Sequence, residues 1–591
     1  MTCTPDAPLA KHIINDADTL VEESIQGLCY AYPHLRYLEK EKVVYSANVD
    51  EVAAKQVTLV AGGGSGHEPA HAGSVGDGML TAAVCGQVFA SPSAGQVLAA
   101  IERIQSPHGT LVIVKNYTGD CINFGLAVER AKAHGIKVEM VVIGDDISVG
   151  RAKGEKVGRR GMAATTLIIK ILGGLAARGG SLEEVRALGE RLVNQAATLA
   201  VGLDHCHVPG SSSLLKLGPN EIELGMGVHN EPGFTKTNLM SAKPLVRTMM
   251  GMLIDQDDKD RAYLTLPKDK KTRVILFVNN LGGTAMLEFN LVVKEAVEAV
   301  LATNHLYLER VIAGPFVTSL NMPGFSLSLL TLDDNDDTTL SLLDAPVHVA
   351  GWPLGAAKSF SPSISQTMDN KLVHPTVDSQ NIHKPSDTTL FEKVIRAAAK
   401  AAIDVEPQVT SFDTLLGDGD CGHTMKTAAN AVLKELPHMR TQSVPQTLYD
   451  IADVIDKSVG GTSSALYCIF FNAMAAAMMQ QQPHLVDQVI WSQAAKQALA
   501  SLKKYTHARP GDRTLMDALV PFVETLSENQ ESLRAAVEAA YRGAEATRTM
   551  PAKLGRTSYL TTEQVESANV PDAGAWGLAA LLCGIKDAVL A

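Results

Sequence analysis

Cysteine is sparse and scattered in this chain. The eight cysteines lie far apart and form no Cys-x-x-Cys pair, which excludes a disulfide scaffold, because such scaffolds space their cysteines much more densely. The N-terminus also lacks a basic segment followed by an apolar run, so we expect no secretory signal. The sequence therefore predicts a reduced, cytoplasmic protein.

Long apolar runs are missing too, and acidic residues outnumber basic ones. The longest apolar run, 465–479, is broken by Asn472 and is shorter than the roughly twenty residues of a membrane-spanning helix, so it predicts a buried helix. The net charge of −12 argues against a nucleic-acid-binding protein, which normally carries a basic surface. A small anion can still bind, because a metal can make one site locally positive.

Apolar side chains, in contrast, occur at a frequency typical of globular proteins. Hydrophobic residues make up 46% and charged residues 20% of the 591 residues, which excludes disorder over most of the chain. The length suits two large domains or about three to four average ones. The 48 glycines predict many tight turns or places where the backbone meets a ligand.

The hydrophobic pattern divides the chain. Up to about residue 350, short β-branched runs alternate with helical patterns, which predicts an α/β fold with substantially parallel strands. About 350 residues is large for one core, so this part is predicted to form two lobes. The predicted strands are 56–60, 110–115, 137–143 and 273–279, and the predicted helices include 93–104 and 181–200.

The rest of the chain has a different character. Residues 351–387 contain four prolines and little periodicity, as is typical of an interdomain linker. From residue 388 onward we expect an all-α antiparallel helix barrel or bundle without strands. Its predicted helices are 391–403, 424–436, 447–459, 463–480, 487–504, 514–527 and 531–550.

Three carboxylates crowd one glycine-rich segment of the helical part, namely Asp413, Asp418 and Asp420. Such carboxylates repel one another, so their spacing favours a bound cation, and Mg²⁺ prefers oxygen ligands. The neighbouring glycines could also offer backbone N–H groups to phosphate. A solvated turn between helices is the alternative. An EF-hand is excluded, because Ala429 stands where the closing Glu would fall.

Three further loops precede predicted helices, at 460–464, 509–517 and 570–575. Free N–H groups at a helix N-terminus can bind phosphate, although each loop could also be a simple cap. Four such loops in one small bundle predict a rim that binds a ligand. The chain has no Gly-x-x-x-x-Gly-Lys-Ser/Thr motif and no protein-kinase signature.

Glycine-containing loops in the α/β part carry His67, Asp120 and His229. The loops of His67 and Asp120 follow predicted strands, which is the usual ligand side of an α/β sheet. The His67 loop is not a dinucleotide fingerprint, because His67 replaces its third glycine. A lone histidine is more often structural, but the three residues together predict a site. The segment 205–207, His-Cys-His, has no evident third metal ligand, so a structural role is favoured.

These motifs resemble those of the dihydroxyacetone kinases. Segments 62–71, 85–92, 115–120 and 225–233 resemble the K-type, dihydroxyacetone-binding domain, and the four loops of the helical part resemble the L-type, ATP-binding domain. Both domains in one chain resemble the single-chain, ATP-dependent form of the family. The resemblance implies a K-type domain at 8–350, a linker at 351–387 and an L-type domain at 388–591.

The resemblance implies an ATP-dependent phosphorylation of dihydroxyacetone (glycerone) to dihydroxyacetone phosphate. In this family His229 would bind the substrate carbonyl as a hemiaminal, Asp120 would act as the base and His67 would polarise the substrate. Further implied substrate contacts are Gly64, Ser65, Gly66 and Lys115.

The resemblance also implies a nucleotide site. Asp413, Asp418 and Asp420 would hold Mg²⁺, with two ions expected. The implied ATP contacts are Asp420, Cys421, Gly422, His423, Thr462, Ser463, Thr514, Leu515, Asp572, Ala573 and Gly574. His423, Ser464 and Thr506 depart from residues that are common in the family, which affects the details of nucleotide binding. The implied assembly is a homodimer with domains crossing between subunits, without nucleic-acid or membrane partners.

Alternative functions remain at this point. The substrate could be glyceraldehyde, erythrulose or another short ketose, and some relatives also act as FAD-AMP lyases that use Mn²⁺ or Co²⁺. Other K-type relatives are regulators that bind transcription factors. The intact aspartates argue against a pure regulator, because a regulator needs no ATP site.

Overall fold

A computed structural model describes residues 11–211, 216–353, 359–361, 383–481, 485–528, 533–554 and 562–591. The chain divides into two compact units, Met1–Gln366 and Thr367–Ala591. Most of the predicted linker, 351–387, lies outside the described residues, as do residues 8–10 at the start of the predicted K-type domain. The predicted domain bounds therefore stay predictions.

The first unit contains two six-stranded sheets, which agrees with the two predicted lobes. The first sheet has the strand order β1-β2-β4-β3-β5-β6. Strands β3, β4, β5 and β6 are parallel to one another, and β2 is antiparallel to both of its neighbours, β1 and β4. The buried runs of β3 and β5 reflect helices on both faces. The strands are β1 (Leu35–Leu38), β2 (Val43–Ser46), β3 (Thr58–Ser65), β4 (Ala82–Val88), β5 (Thr110–Lys115) and β6 (Val138–Ile143).

The second sheet has the order β11-β10-β12-β7-β8-β9, and only β10 and β11 are parallel. The prediction of substantially parallel strands is wrong for this sheet. A helix joins β10 to β11, but a helix-free loop precedes β12 and returns the chain in the opposite direction. The strands are β7 (Ala196–Gly202), β8 (Glu221–Leu224), β9 (Thr235–Asn238), β10 (Thr272–Asn280), β11 (Leu306–Gly314) and β12 (Gly324–Leu332).

Ten helices among the described residues of the first unit cover these sheets. The helix predicted at 181–200 begins at Leu182 behind a Ser181–Glu184 capping box but ends at Gln195. Alanines 196 and 197 suit a helix locally, yet they pair with β12 as part of β7, so sheet pairing overrides propensity. The helices are α1 (Leu20–Ala31), α2 (Val49–Lys55), α3 (Ala94–Arg103), α4 (Thr118–Ala133), α5 (Arg151–Val157), α6 (Ala164–Ala177), α7 (Leu182–Gln195), α8 (Ala242–Ile254), α9 (Met286–Leu301) and α10 (Asp337–Leu343).

The second unit is a helix bundle, as predicted. Asp413 belongs to a helix that begins beside Pro407 and was not predicted, rather than to a loop. The start of the predicted helix 531–550 lies outside the described residues. The helices are α11 (Thr388–Asp404), α12 (Glu406–Leu416), α13 (Cys421–Glu435), α14 (Val444–Ser458), α15 (Thr462–Met479), α16 (Gln488–Leu502), α17 (Met516–Glu528), α18 (Leu533–Ala546), α19 (Thr562–Ala568) and α20 (Ala573–Leu590).

One short strand pair, β13 (Lys384–Pro385) with β14 (Leu485–Val486), contradicts the prediction of a strand-free bundle. Two residues a strand are too few for a periodic signal.

Within the described part of the chain, two helices, α15 and α20, are by length and composition long and apolar enough to cross a membrane. The apolar run 465–479 was expected to be too short for a membrane span, but α15 is longer than this run because it begins at Thr462. Both helices pack against other helices of the bundle, but only 33% of each apolar segment is buried, so the prediction of a buried helix holds only in part.

Candidate functional site

Two histidines meet at the ligand side of the first unit. His67 follows β3 and His229 lies in the loop after β8, and their Nε2 atoms are 3.0 Å apart. Phe89 stacks on the His67 ring at a centroid distance of 5.1 Å. The rings of Phe89 and Tyr117 stand edge to face with His229 at 5.0 and 4.8 Å. The aromatic rings thus restrict the imidazoles to one contact geometry.

His67 is a neutral imidazole in a fixed tautomer. Burial, reinforced by the positive charge of Lys115, lowers the pKa of His67 well below its usual range. Its Nδ1 atom lies 2.8 Å from the carbonyl oxygen of Thr318. A carbonyl can only accept, so Nδ1 carries the proton of His67 and donates it. Nε2 of His67 therefore presents a lone pair to His229.

His229 is held by a carboxylate from its own loop. Its Nδ1 atom is 2.7 Å from Oε1 of Glu231, and its backbone N–H donates to Oε2 at 2.8 Å. Burial opposes the ionisation of Glu231, but the hydrogen bonds and charge of His229 outweigh it and lower the pKa of Glu231 to about 2. Glu231 is thus a carboxylate at neutral pH.

Lys115 and Asp120 lie close to the histidine pair, because the charge of Lys115 acts on His67 and that of His229 on Asp120. Lys115 ends β5 and Asp120 lies in the first turn of α4, and both side chains are buried. Burial raises the pKa of Asp120, while Ser91 and the Lys115 cation oppose this. Burial lowers the pKa of Lys115. Oδ1 of Asp120 is buried without a hydrogen-bond partner among the described residues, and such an unsatisfied polar atom is typical of a catalytic or ligand-binding position.

The predicted substrate contacts Gly64, Ser65 and Gly66 each have different neighbours in the structure. A Cβ on Gly64 would lie 2.7 Å from the backbone nitrogen of Ala90, so the two segments approach too closely for a side chain. Gly66 has a φ of +102°. Its N–H donates to both carboxylate oxygens of Glu68. The hydroxyl of Ser65 donates to the carbonyl of Gly86 at 2.8 Å, so this hydroxyl is engaged within the protein.

The acidic segment of the second unit gathers oxygen ligands. One oxygen each from Asp413, Asp418 and Asp420 lies within 4.8 Å of the others, and no other such group of acidic, histidine or cysteine residues occurs in the described part of the chain. A Cβ on Gly417 would come within 2.2 Å of Oδ1 of Asp413. An all-oxygen set around a glycine-containing turn fits a hard divalent cation such as Mg²⁺.

Cys421 shows that three predicted nucleotide loops converge. Burial, together with the nearby carboxylates of Asp413, Asp572 and Asp420, raises the pKa of its thiol to about 12, while a hydrogen bond with Ser463 opposes this shift. The acidic segment, the start of α15 and the start of α20 are therefore neighbours. Burial also raises the pKa of Asp572 to about 6, although the N–H of Ala575 opposes it.

The remaining predicted ATP contacts lie near these helix starts. Gly574 faces both Asp572 and Leu515, because a Cβ there would lie 3.4 Å from Oδ1 of Asp572 and 3.6 Å from Cβ of Leu515. Thr462 begins α15, and Ala573 begins α20. The N–H of Thr514 donates to Asp517 at 2.8 Å.

Gly422 and His423 face α12 instead. A Cβ on Gly422 would lie 2.2 Å from Oγ1 of Thr410. The exposed ring of His423 pairs with Glu406 through Nδ1 at 3.2 Å. The structure therefore shows contacts of these two residues with α12, and the nucleotide contacts predicted for them stay predictions.

Sequence reasoning assigned no role to Glu231, Arg513 or Asp517. All three lie inside the recognised motifs, and an acidic residue two positions after His229 was a usable signal. The contacts of the buried Arg513 reach distant backbone positions, so no local pattern reveals them, whereas the Thr514–Asp517 contact joins residues only three positions apart. Cys206 exchanges hydrogen bonds with Asn230 at 2.9 and 3.0 Å, which supports the structural interpretation of the His-Cys-His segment.

Comparisons with known proteins agree with this arrangement of an α/β unit and a helical unit. The Dak1 domain matches residues 26–351, and the DAK2 domain matches residues 415–587. Dihydroxyacetone kinase 2 of Saccharomyces cerevisiae is 41% identical over 584 residues, covering 96% of this chain and 98% of that protein. Triokinase/FMN cyclase of Homo sapiens is 36% identical, covering 98% of this chain and 99% of that protein.

A solved structure resembles the whole chain. The crystal structure of the dihydroxyacetone kinase from C. freundii in complex with AMP-PNP and Mg²⁺ superposes with a TM-score of 0.64 at 31% identity, covering 98% of this chain and 99% of that one. A Dak1 domain followed by a DAK2 domain defines a two-domain kinase. The chain belongs to the dihydroxyacetone kinase family, and the prediction of an ATP-dependent kinase of this family is confirmed.

Proposed function

We propose that this chain transfers the γ-phosphoryl group of ATP to a hydroxyl of dihydroxyacetone, giving dihydroxyacetone phosphate and ADP. The observation that carries this proposal is the pairing of His67 with His229 at 3.0 Å beside the unpartnered carboxylate oxygen of Asp120. A small carbonyl compound with a hydroxyl next to the carbonyl can use both groups at once. The names of the relatives support the same substrate.

The carbonyl group is captured by His229. Its Nε2 atom adds to the carbonyl carbon and forms a hemiaminal, which tethers a ketone but not a polyol such as glycerol. His67 lies within hydrogen-bond distance of Nε2, so it can take a proton from this atom and pass it to the carbonyl oxygen. The tether also fixes the hydroxyl for phosphoryl transfer, which depends strongly on positioning.

Asp120 is the base that takes the proton of the attacking hydroxyl. Its raised pKa makes it a better proton acceptor than an exposed aspartate. The buried ammonium of Lys115 lies close enough to influence this carboxylate and can bind the substrate or the transferred phosphoryl oxygens. Gly64, Ser65 and Gly66 shape the wall of the pocket by their close backbone packing.

Asp413, Asp418 and Asp420 hold Mg²⁺, with two ions the expected number. The metal neutralises the negative charge that develops on the ATP phosphates. The protein itself binds and orients the nucleotide through the converging helix starts, at Cys421, Thr462, Ser463, Thr514, Leu515, Asp572, Ala573 and Gly574. Gly422 and His423 contribute from the neighbouring turn of α13.

The wider setting remains part of the proposal. Transfer requires the substrate and nucleotide sites to meet, so we expect the segment 351–387 to act as a linker in a homodimer with crossed domains. A cytoplasmic location follows from the scattered cysteines.

ATP consumption with a panel of short aldoses, ketoses and polyols tests the function. We expect turnover with dihydroxyacetone and none with glycerol, and a lack of turnover with every triose and tetrose would refute the proposal. Intact-mass measurement tests the tether, since His229→Ala should lose the adduct that the unmodified protein forms. An adduct that persists in His229→Ala would identify another nucleophile.

A second candidate is a cyclising FAD-AMP lyase activity in addition to the kinase. It is favoured by the similarity over the full chain to triokinase/FMN cyclase of Homo sapiens. Incubation of the protein with FAD and Mn²⁺ or Co²⁺ tests it. Release of cyclic riboflavin phosphate would establish the activity, and intact FAD after complete kinase turnover in parallel would exclude it.

A further inference from the structure

The loop that carries His229 is built around the carboxylate of Glu231. This carboxylate accepts two hydrogen bonds from His229, one from the backbone and one from the ring. The backbone carbonyl of Glu231 also accepts the N–H of Gly227 at 2.9 Å. Side chain and backbone of Glu231 thus close the turn on both sides of the nucleophilic histidine.

Space for this carboxylate comes from Gly227. A Cβ there would lie 2.2 Å from Oε2 of Glu231 and 2.6 Å from Nη1 of Arg160. Arg160 is itself fixed, because it donates to Asp146 at 2.7 Å and to the carbonyl of Gly225 at 2.6 Å. Its positive charge interacts favourably with Glu231. The carboxylate is therefore anchored and remains ionised.

The hydrogen bonds define where the protons of the two imidazoles lie. His67 donates from Nδ1 to Thr318, so its Nε2 accepts, and Nε2 of His229 is the donor of the 3.0 Å contact. Nδ1 of His229 faces the Glu231 carboxylate at 2.7 Å and is therefore also a donor. The two rings together hold three protons and one positive charge, which Glu231 balances.

We propose that Glu231 is a positioning residue for covalent substrate capture: it keeps a proton on Nδ1 of His229, leaves Nε2 as the nucleophile and balances the charge of the adduct. This inference rests on the proposed hemiaminal. Before addition, His67 takes the Nε2 proton of His229. The Nε2 lone pair then forms the bond to the carbonyl carbon, the π electrons move to oxygen, and that oxygen takes the proton from His67.

The net charge of the site does not change in this step. Before addition the two rings share one positive charge; afterwards the charge resides on the N-alkylated ring of His229, and His67 is neutral again. An imidazolium is a good leaving group, so a carbonyl adduct reverts readily in water. A carboxylate already hydrogen-bonded to Nδ1 stabilises the cation in place and makes the adduct persist.

The test compares two substitutions that separate charge from shape. Glu231→Gln keeps the shape and removes the charge, whereas Glu231→Asp keeps the charge and shortens the side chain. If Glu231 acts through charge, the Glu231→Gln variant should need at least tenfold more dihydroxyacetone than the unmodified protein for half-maximal adduct formation in intact-mass titrations. For Glu231→Asp, this concentration should lie between those of the unmodified protein and Glu231→Gln. The KM for dihydroxyacetone should rise in the same order, while the KM for ATP stays unchanged.

A purely structural role predicts the reverse order, in which Glu231→Gln weakens the adduct less than Glu231→Asp does. That order would overturn the inference. An unchanged adduct in Glu231→Gln would overturn it as well. If Glu231→Gln does not fold, Glu231→Ala with added acetate or acetamide decides: restoration of the adduct by acetate but not by acetamide supports the inference, and equal effects of the two compounds contradict it.

Glu223→Gln is the matched control. Glu223 is also a buried carboxylate beside this loop, and it accepts the N–H of Gly233 at 2.7 Å instead of contacting His229. Its substitution should leave the adduct titration unchanged, and a loss equal to that of Glu231→Gln would overturn the inference. Absence of any adduct in the unmodified protein would instead refute the tether in the proposed function.

Discussion

The guanidinium of Arg513 donates a hydrogen bond of 2.7 Å to the carbonyl oxygen of Val570, two residues before Asp572. Its other terminal nitrogen contacts the carbonyl of Thr547. The hydroxyl of Thr547 in turn accepts the N–H of Asp572 at 2.7 Å. One buried cation therefore joins the loop before α17 to the loop before α20, and it sets the position of Asp572.

Replacing Arg513 by Lys should weaken nucleotide binding, because an ammonium cannot span two carbonyls as the guanidinium fork does. Lost hydrogen bonds from a buried charged group cost about 1.5–3 kcal/mol. We expect roughly a tenfold loss in AMP-PNP affinity by calorimetry with Mg²⁺ present. Arg509→Lys, in the exposed part of the same loop, is the control and should bind nearly normally. Equal losses in both variants would contradict the role of Arg513.

Asp418→Asn should abolish ATP-dependent phosphorylation, because it removes one charge from the proposed metal site. The covalent adduct with dihydroxyacetone should remain, since His229 belongs to the other unit. Coupled ADP release and intact mass measure the two properties separately. Asp453→Asn changes a surface carboxylate that pairs with Lys457 and should retain activity. Kinase activity in Asp418→Asn would refute the metal assignment.

Gly227→Ala should destabilise the first unit and weaken the adduct, because the new Cβ would collide with Glu231 and Arg160. Overpacking of this kind costs about 1–3 kcal/mol. Gly251→Ala, in α8, places a Cβ in open space and should be neutral or stabilising by up to about 1 kcal/mol. Urea denaturation and adduct titration of both variants check the contrast, and similar stabilities would contradict the steric argument.

Lys170 should make the stability of the first unit depend on pH. It is buried in α6 and donates to the carbonyl of Leu342 at 2.8 Å. Burial lowers its pKa to about 8 from the ordinary 10.5. Between these values the unfolded state binds the proton that the folded state has released, so stability rises with pH. From pH 7 to 9.5 the gain should be on the order of 2 kcal/mol.

Denaturation of the unmodified protein and of Lys170→Met at both pH values isolates this effect. The Met variant lacks the titrating group, so the difference between the proteins should shift in favour of the unmodified protein at pH 9.5. Parallel pH dependence in both proteins would show that Lys170 does not titrate in this range.

The sequence predicted the local features of the two sites well, because the signals are local. The strands before His67 and Asp120 follow from β-branched runs and turn residues, and the acidic segment is visible as spacing alone. Asp120 was predicted to lie in a loop, but it lies in the first turn of α4. The direction of β12 and the end of α7 at Gln195 were not predictable in this way. Both depend on which strands pair, and the strands that pair with β12 lie far from it in the sequence.

By itself, the sequence determined the division into an α/β part and a helical part, the family, and the residue types available for chemistry. Only the tertiary structure decided how those residues act together. It set the proton positions in the His67–His229 pair through the carbonyl of Thr318, and it turned the hydroxyl of Ser65 toward Gly86. It also buried Arg513 between two loops. Hydrogen bonding and burial act between groups close in space, and only folding brings groups distant in sequence that close.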